Sequence, residues 1–164
     1  MKTTMTLAAL AAATFGTALA QDESNLGGTK MCLTAKYTVS IDVDGAGRMN
    51  LKALSDGAYA EIKRQFRAGG VTFQESDSCA QAPAAFYLSI GMTSANSDGW
   101  RAYDLAADVS DWSNPKYKTY VAIWTGGQYG TIGGEDDAVT KELLSDVQEV
   151  VADFVKQWKA ANRK

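Results

Sequence analysis

From Leu33 to Asp44 apolar and polar positions alternate without a break. Leu33, Ala35, Tyr37, Val39, Ile41 and Val43 fall on one side, and Thr34, Lys36, Thr38, Ser40, Asp42 and Asp44 on the other. A period of two over this length predicts one long strand with a single buried face, ended by Gly45-Ala46-Gly47. The period then changes. After Asn50, a good N-cap, Leu51, Leu54, Ala58, Ile62 and Phe66 recur at helical spacing until Gly69-Gly70 offers a left-handed stop. Val71 to Glu75 reads as a short strand, and Ser76 to Ala84, with Cys79 and Pro83, as a loop.

Alternation returns at Phe86, Leu88, Ile90 and Met92, and again at Tyr103, Leu105, Ala107 and Val109. Asn96-Ser97-Asp98-Gly99 between them is a hairpin signal. Ser113-Asn114-Pro115 turns once more, and Tyr117 to Thr125 is β-rich, which makes an antiparallel meander of three strands. Gly126 to Gly134 carries five glycines and is expected to be irregular. A last helix opens at Glu135-Asp136-Asp137 and buries Val139, Leu143, Val147, Val150, Val151, Phe154 and Trp158. The order β-α-β-β-β-β-α predicts an α+β fold, a two-layer sandwich of a mostly antiparallel sheet with both helices on one face. The other face is left to water or to a partner.

The first twenty residues stand apart from this pattern. Lys2, the apolar run Leu7 to Thr14 and the small-x-small site Ala18-Leu19-Ala20 form a signal peptide cleaved at Ala20. The run is too short to span a bilayer. The chain is then exported, to the periplasm or beyond, with residues 21–30 as a flexible lead-in and 31–164 as a single domain. No cysteine stands near the cleavage site, so a lipid anchor is not expected. Removal of the leader takes only Lys2 and moves the net charge from −3 to −4. That mild acidity argues against nucleic acid as a partner.

Export also decides how the two cysteines, Cys32 and Cys79, are read. In an oxidising compartment a structural disulfide is the first reading, ahead of two buried thiols or a reactive pair, since the close C-x-x-C spacing is missing. The chain has no histidine. Serine or cysteine triads and histidine-ligated zinc are therefore not available. No cofactor is implied.

Candidate chemistry is thin. The glycine-rich segment, with Gly126, Gly127, Tyr129, Gly130, Gly133 and Gly134, sits between strand and helix like a phosphate loop. It lacks a Gly-Lys-Ser/Thr ending and is followed by three acids, so it reads first as a connector and second as a functional loop. Asp42 and Asp44 resemble the start of a calcium loop without its downstream glutamate. Asp104 and Asp108 share a strand face, but about 13 Å apart at roughly 3.3 Å per residue, too far for either glycosidase geometry. Trp100 and Trp112 lie beside turns and are candidates for an exposed aromatic surface, whereas Trp158 belongs to the core stripe.

The segment WTGGQYGTIGGEDDAVTKELLSDVQEVVADFVKQWKAANRK, from Trp124, is similar to the C-terminal part of a family of small exported bacterial proteins of unknown function. ALSDGAYAEIKRQFRAGGVTF resembles the same family's first helix. More distantly, the element order looks like that of envelope lipoproteins that assist lipopolysaccharide assembly or lipid transport. The resemblance implies no catalytic residues. The expected function is thus an exported, non-enzymatic module that binds an envelope protein, lipid or glycan, or forms a homodimer through its sheet. The alternative is a carboxylate-dependent hydrolase acting on envelope or sugar substrates.

Overall fold

The computed structural model describes residues 23–45, 47, 49–113 and 119–163. The expected leader with its site at Ala20, the turn at Asn114-Pro115 and the strand start at Tyr117 lie outside them. The elements are β1 (Met31–Leu33), β2 (Val39–Val43), α1 (Leu51–Gly69), β3 (Phe73–Glu75), β4 (Ala85–Met92), β5 (Trp100–Asp111), β6 (Val121–Gly133) and α2 (Asp136–Ala161). The fold is α+β, as the patterning predicts. Its sheet runs β3-β1-β4-β5-β6, with β2 also alongside β4. β4, β5 and β6 form the antiparallel meander, while β1 to β3, β1 to β4 and β2 to β4 are parallel pairings.

The first strand departs from its pattern. Cys32 pairs with Ala85, and Val39–Val43 pair with Leu88–Met92, so β1 and β2 lie in one line along β4. Between them the chain makes a turn held by two threonines. Thr38 Oγ1 accepts from the Thr34 N–H at 2.8 Å, and Thr34 Oγ1 accepts from the Tyr37 N–H at 2.8 Å. Threonine hydroxyls offer the backbone an alternative to the sheet ladder, and here two of them win. Both threonines are buried, and Tyr37, expected on the buried side, is pushed out to 54% exposure.

The helices follow their sequence signals closely. Asn50 Oδ1 accepts from the Ala53 N–H at 3.0 Å, and Gly70 ends α1 at φ 71°, the left-handed geometry that glycine adopts freely. The α1 stripe buries Leu54, Ala58, Ile62 and Phe66. α1 and α2 run side by side in the same direction, Gly57 facing Leu144 and Gly69 facing Val155. Their stripes meet the sheet face of Phe86, Leu88, Ile90, Leu105, Ala107 and Val109 in one continuous core. At its centre Phe66, Phe86, Phe154 and Trp124 pack ring against ring, Phe66 to Phe154 at 5.2 Å and Trp124 to Phe154 at 4.9 Å between centroids.

Two further expectations are corrected. Residues 21–30 are not a free lead-in over their described part: Leu26 is 1% exposed, and Asn162 Nδ2 donates to its carbonyl at 3.0 Å. Asn162 Oδ1 also accepts from the Gly28 N–H at 2.7 Å. Nor is the glycine-rich segment irregular. Gly126, Gly127, Tyr129, Gly130 and Gly133 belong to β6, and only Gly134 lies beyond it. Glycine normally weakens a strand, but here three of them make room for rings. A Cβ on Gly126 would come 2.6 Å from the Trp124 ring, on Gly130 3.1 Å from Tyr103, and on Gly133 3.0 Å from Trp100. Gly127 is different: at φ 158°, a Cβ there would run into the backbone carbonyl of Leu105 on the neighbouring strand.

Candidate functional site

Register determines what the sheet shows on the side away from the helices. Ser40, Ser89, Ala106 and Gly127 form one row across β2, β4, β5 and β6. Asp42, Gly91, Asp104 and Tyr129 form the next. Both rows are built mainly of small side chains, so the face is shallow. Tyr129 rises from it at 87% exposure, and Trp100, at the hairpin end, is 52% exposed.

The opposite end of this face is covered by the loop between β3 and β4. Cys32 and Cys79 are joined in a disulfide with Cα atoms 5.7 Å apart. With Ala85 they form a small buried cluster, separate from the main core, on which Ala82 and Tyr87 rest. The Trp112 N–H donates to the Ala82 carbonyl at 3.0 Å, tying the loop to the end of β5. The disulfide is therefore the edge of the open face as well as a crosslink.

Against that edge stand Tyr87, Asp108, Ser110, Trp112 and Tyr120. Tyr87 and Asp108 are register partners. The Ser110 hydroxyl donates to Asp108 Oδ2. Trp112 and Tyr120 pack at 5.0 Å between centroids. Burial pushes the Asp108 carboxyl above its ordinary range, against the opposing pull of the Ser110 hydrogen bond. Burial likewise raises the Tyr87 phenol, with the negative charge of Asp108 adding to it. Across the whole face the chemistry on offer is recognition: the indoles of Trp100 and Trp112, the phenols of Tyr87, Tyr120 and Tyr129, and the Asp108 carboxyl, on a flat base.

The candidate residues thus divide between the two ends of one face. Trp112 and Asp108 lie toward the disulfide end, and Trp100 and Asp104 toward the hairpin end. The structure does not bring Asp104 and Asp108 together. Asp104 pairs with Gly91 and Tyr129, one row removed from the Tyr87–Asp108 pair on either side of the Ser89–Ala106 row, so they keep the roughly 13 Å of an extended strand. Asp42, Asp44 and Asp104 line a depression of about 290 Å³ over Gly91. Among the described residues no three carboxylates or cysteines are placed to hold a metal ion. Sequence reasoning missed Tyr87 and Tyr120. The alternation of β4 places Tyr87 on the open face once Phe86 and Leu88 are taken as core. Tyr120 had no such signal, because its contact with Trp112, eight positions earlier, follows no local period.

No family model and no curated protein matches the chain. Solved structures similar in chain path include the PelC dodecamer from Paraburkholderia phytofirmans, at 18% identity over 85% of this chain and 92% of that one, with a TM-score of 0.43. The hypothetical protein CT253 from Chlamydia trachomatis has 10% identity over 81% and 99%, with a TM-score of 0.49. The lipoprotein GNA1162 from Neisseria meningitidis has 12% identity over 76% and 99%, with a TM-score of 0.42. The neighbours thus include a hypothetical protein and a lipoprotein, and similarity at this level carries nothing about ligand or activity.

Proposed function

We propose that this protein is an exported binding module that holds an envelope protein or glycan partner on the open face of its sheet, without chemistry on the bound partner. The observation that carries this reading is the distribution of exposed aromatics. Of the five large hydrophobic side chains exposed among the described residues, Trp100, Trp112, Tyr120 and Tyr129 lie on or beside this one face, and only Tyr37 lies elsewhere. Aromatic side chains on a rigid, flat base supply large contact area at small conformational cost, and they are enriched where partners dock. The leader signal and the Cys32–Cys79 disulfide support export, since disulfides persist in oxidising compartments. No helix among the described residues is long and apolar enough to cross a membrane.

The test is affinity capture from a native envelope extract with the chain from Gln21 onward. Tyr129→Ala combined with Trp112→Ala removes aromatic contacts at both ends of the face, while Lys141→Ala, on the exposed side of α2, serves as control. The reading expects capture of a discrete partner that the double variant loses and the control keeps. Equal capture by all three proteins would refute it.

A further inference from the structure

A second surface, on the helical side of the molecule, has a different character. α1 and α2 end at the same end of the fold, and a groove of about 400 Å³ runs between their last turns. Its floor is apolar: Gly69 lets α1 approach so closely that a Cβ there would collide with Val155. Its rim is cationic, formed by Arg64, Lys156, Lys159 and Arg163. Among the described residues only Arg64 of these four has a carboxylate partner, Glu61 at 2.5 Å. The negative ends of two parallel helix dipoles account for cations in the last turn, such as Lys159. They leave unexplained an open groove with an apolar floor in a chain whose net charge is −3. Acidic residues gather at the other end of α2, where Glu135, Asp136 and Asp137 open the helix. The molecule is therefore electrically polar along the helix axis.

The course of the N-terminal segment gives this end a direction. The described chain begins at Glu23, and Leu26 and Gly28 are tied to Asn162, next to Arg163. The first described residues thus lie at the end that carries the groove. We infer that this end is a docking surface for an anionic phospholipid membrane, the phosphates meeting the cationic rim and the acidic end of α2 held away. Each Lys or Arg near an anionic bilayer contributes about 1 kcal/mol. Neutralising three of them lowers partitioning roughly a hundredfold, at tenfold per 1.4 kcal/mol. The attraction is screened by salt.

The experiment is co-sedimentation of the chain from Gln21 onward, which includes every described residue, with vesicles containing phosphatidylglycerol and with purely phosphatidylcholine vesicles. The inference expects binding to the first at low salt, loss at high salt, and no binding to the second. Lys156→Gln/Lys159→Gln/Arg163→Gln, exposed changes to a good helix former, should lose roughly two orders of magnitude in partitioning while keeping the wild-type melting curve. Tyr129→Ala, on the opposite side of the molecule, should bind vesicles as wild type does, which keeps this test separate from that of the open face. Equal binding to both vesicles, or an unaffected triple variant, would overturn the inference. So would full competition by inorganic phosphate at the same phosphate concentration, which marks a small-anion site. Salt-sensitive self-association without vesicles, abolished by the triple variant, would assign the groove to a second copy instead.

Discussion

Reduction of the Cys32–Cys79 bond separates two contributions that the fold keeps distinct. The cysteines are 47 positions apart. In the chain-entropy relation, a closed loop of that size removes about 13.6 cal/mol/K from the unfolded chain, or about 4 kcal/mol at 25 °C. The disulfide packs in its own small cluster with Ala85, apart from the main core. Its loss should therefore leave the core intact and free the loop that Trp112 holds through Ala82. Urea unfolding of the oxidised and reduced chain measures the first effect. With a slope of about 2 kcal/mol/M, the midpoint should fall by about 2 M on reduction. Tryptophan fluorescence of the folded, reduced protein measures the second, through a red shift lost in Trp112→Phe. A midpoint change under about 0.5 M would refute the stabilisation argument, and a reduced state without native helix content would refute the independence of the core.

Replacement of β6 glycines should separate ring accommodation from backbone crowding. Gly130→Ala meets only the Tyr103 ring, at 3.1 Å, and should cost under about 1 kcal/mol, whereas Gly127→Ala meets the Leu105 carbonyl and should cost about 2 kcal/mol or more by thermal melting. Phe66→Ala, at the centre of the aromatic core, should cost about 3–5 kcal/mol by chemical denaturation. Asp108 has its folded pKa raised by burial, so its contribution is fully present below the unfolded value and lost as pH rises through the folded one. Asp108→Asn should therefore stabilise at pH 7, by a fraction of a kcal/mol after solvent screening, and the difference from wild type should vanish below about pH 4. Melting curves across that range check the sign.

The helices and the meander were legible because their signals are local. Asn50, Gly70 and the apolar stripes at three- and four-residue spacing act within a turn or two of themselves. The two misread strands show where locality ends. The alternation through Leu33–Asp44 is real, but Thr34 and Thr38 bond across it to neighbouring backbone, and no period reports a side chain's choice of partner. In β6 the glycines look like a loop until Trp100 and Tyr103, about thirty positions earlier, are placed beside Gly133 and Gly130 by the β5 register. The candidate site had the same divided legibility. Trp100 and Trp112 were visible from the turns beside them. Tyr87, Asp108 and Ser110 became a group only when the sheet was assembled and the disulfide loop laid over its end.

The open face itself is best tested by hydroxyl-radical footprinting of the protein in its native envelope against the purified chain. Tyr129 and Tyr37 are both exposed in the free molecule, at 87% and 54%, and only Tyr129 lies on the face. If the face is occupied, oxidation of Tyr129, Trp100 and Trp112 falls several-fold in the envelope while that of Tyr37 is unchanged. Equal oxidation of Tyr129 in both settings would contradict a partner on the open sheet.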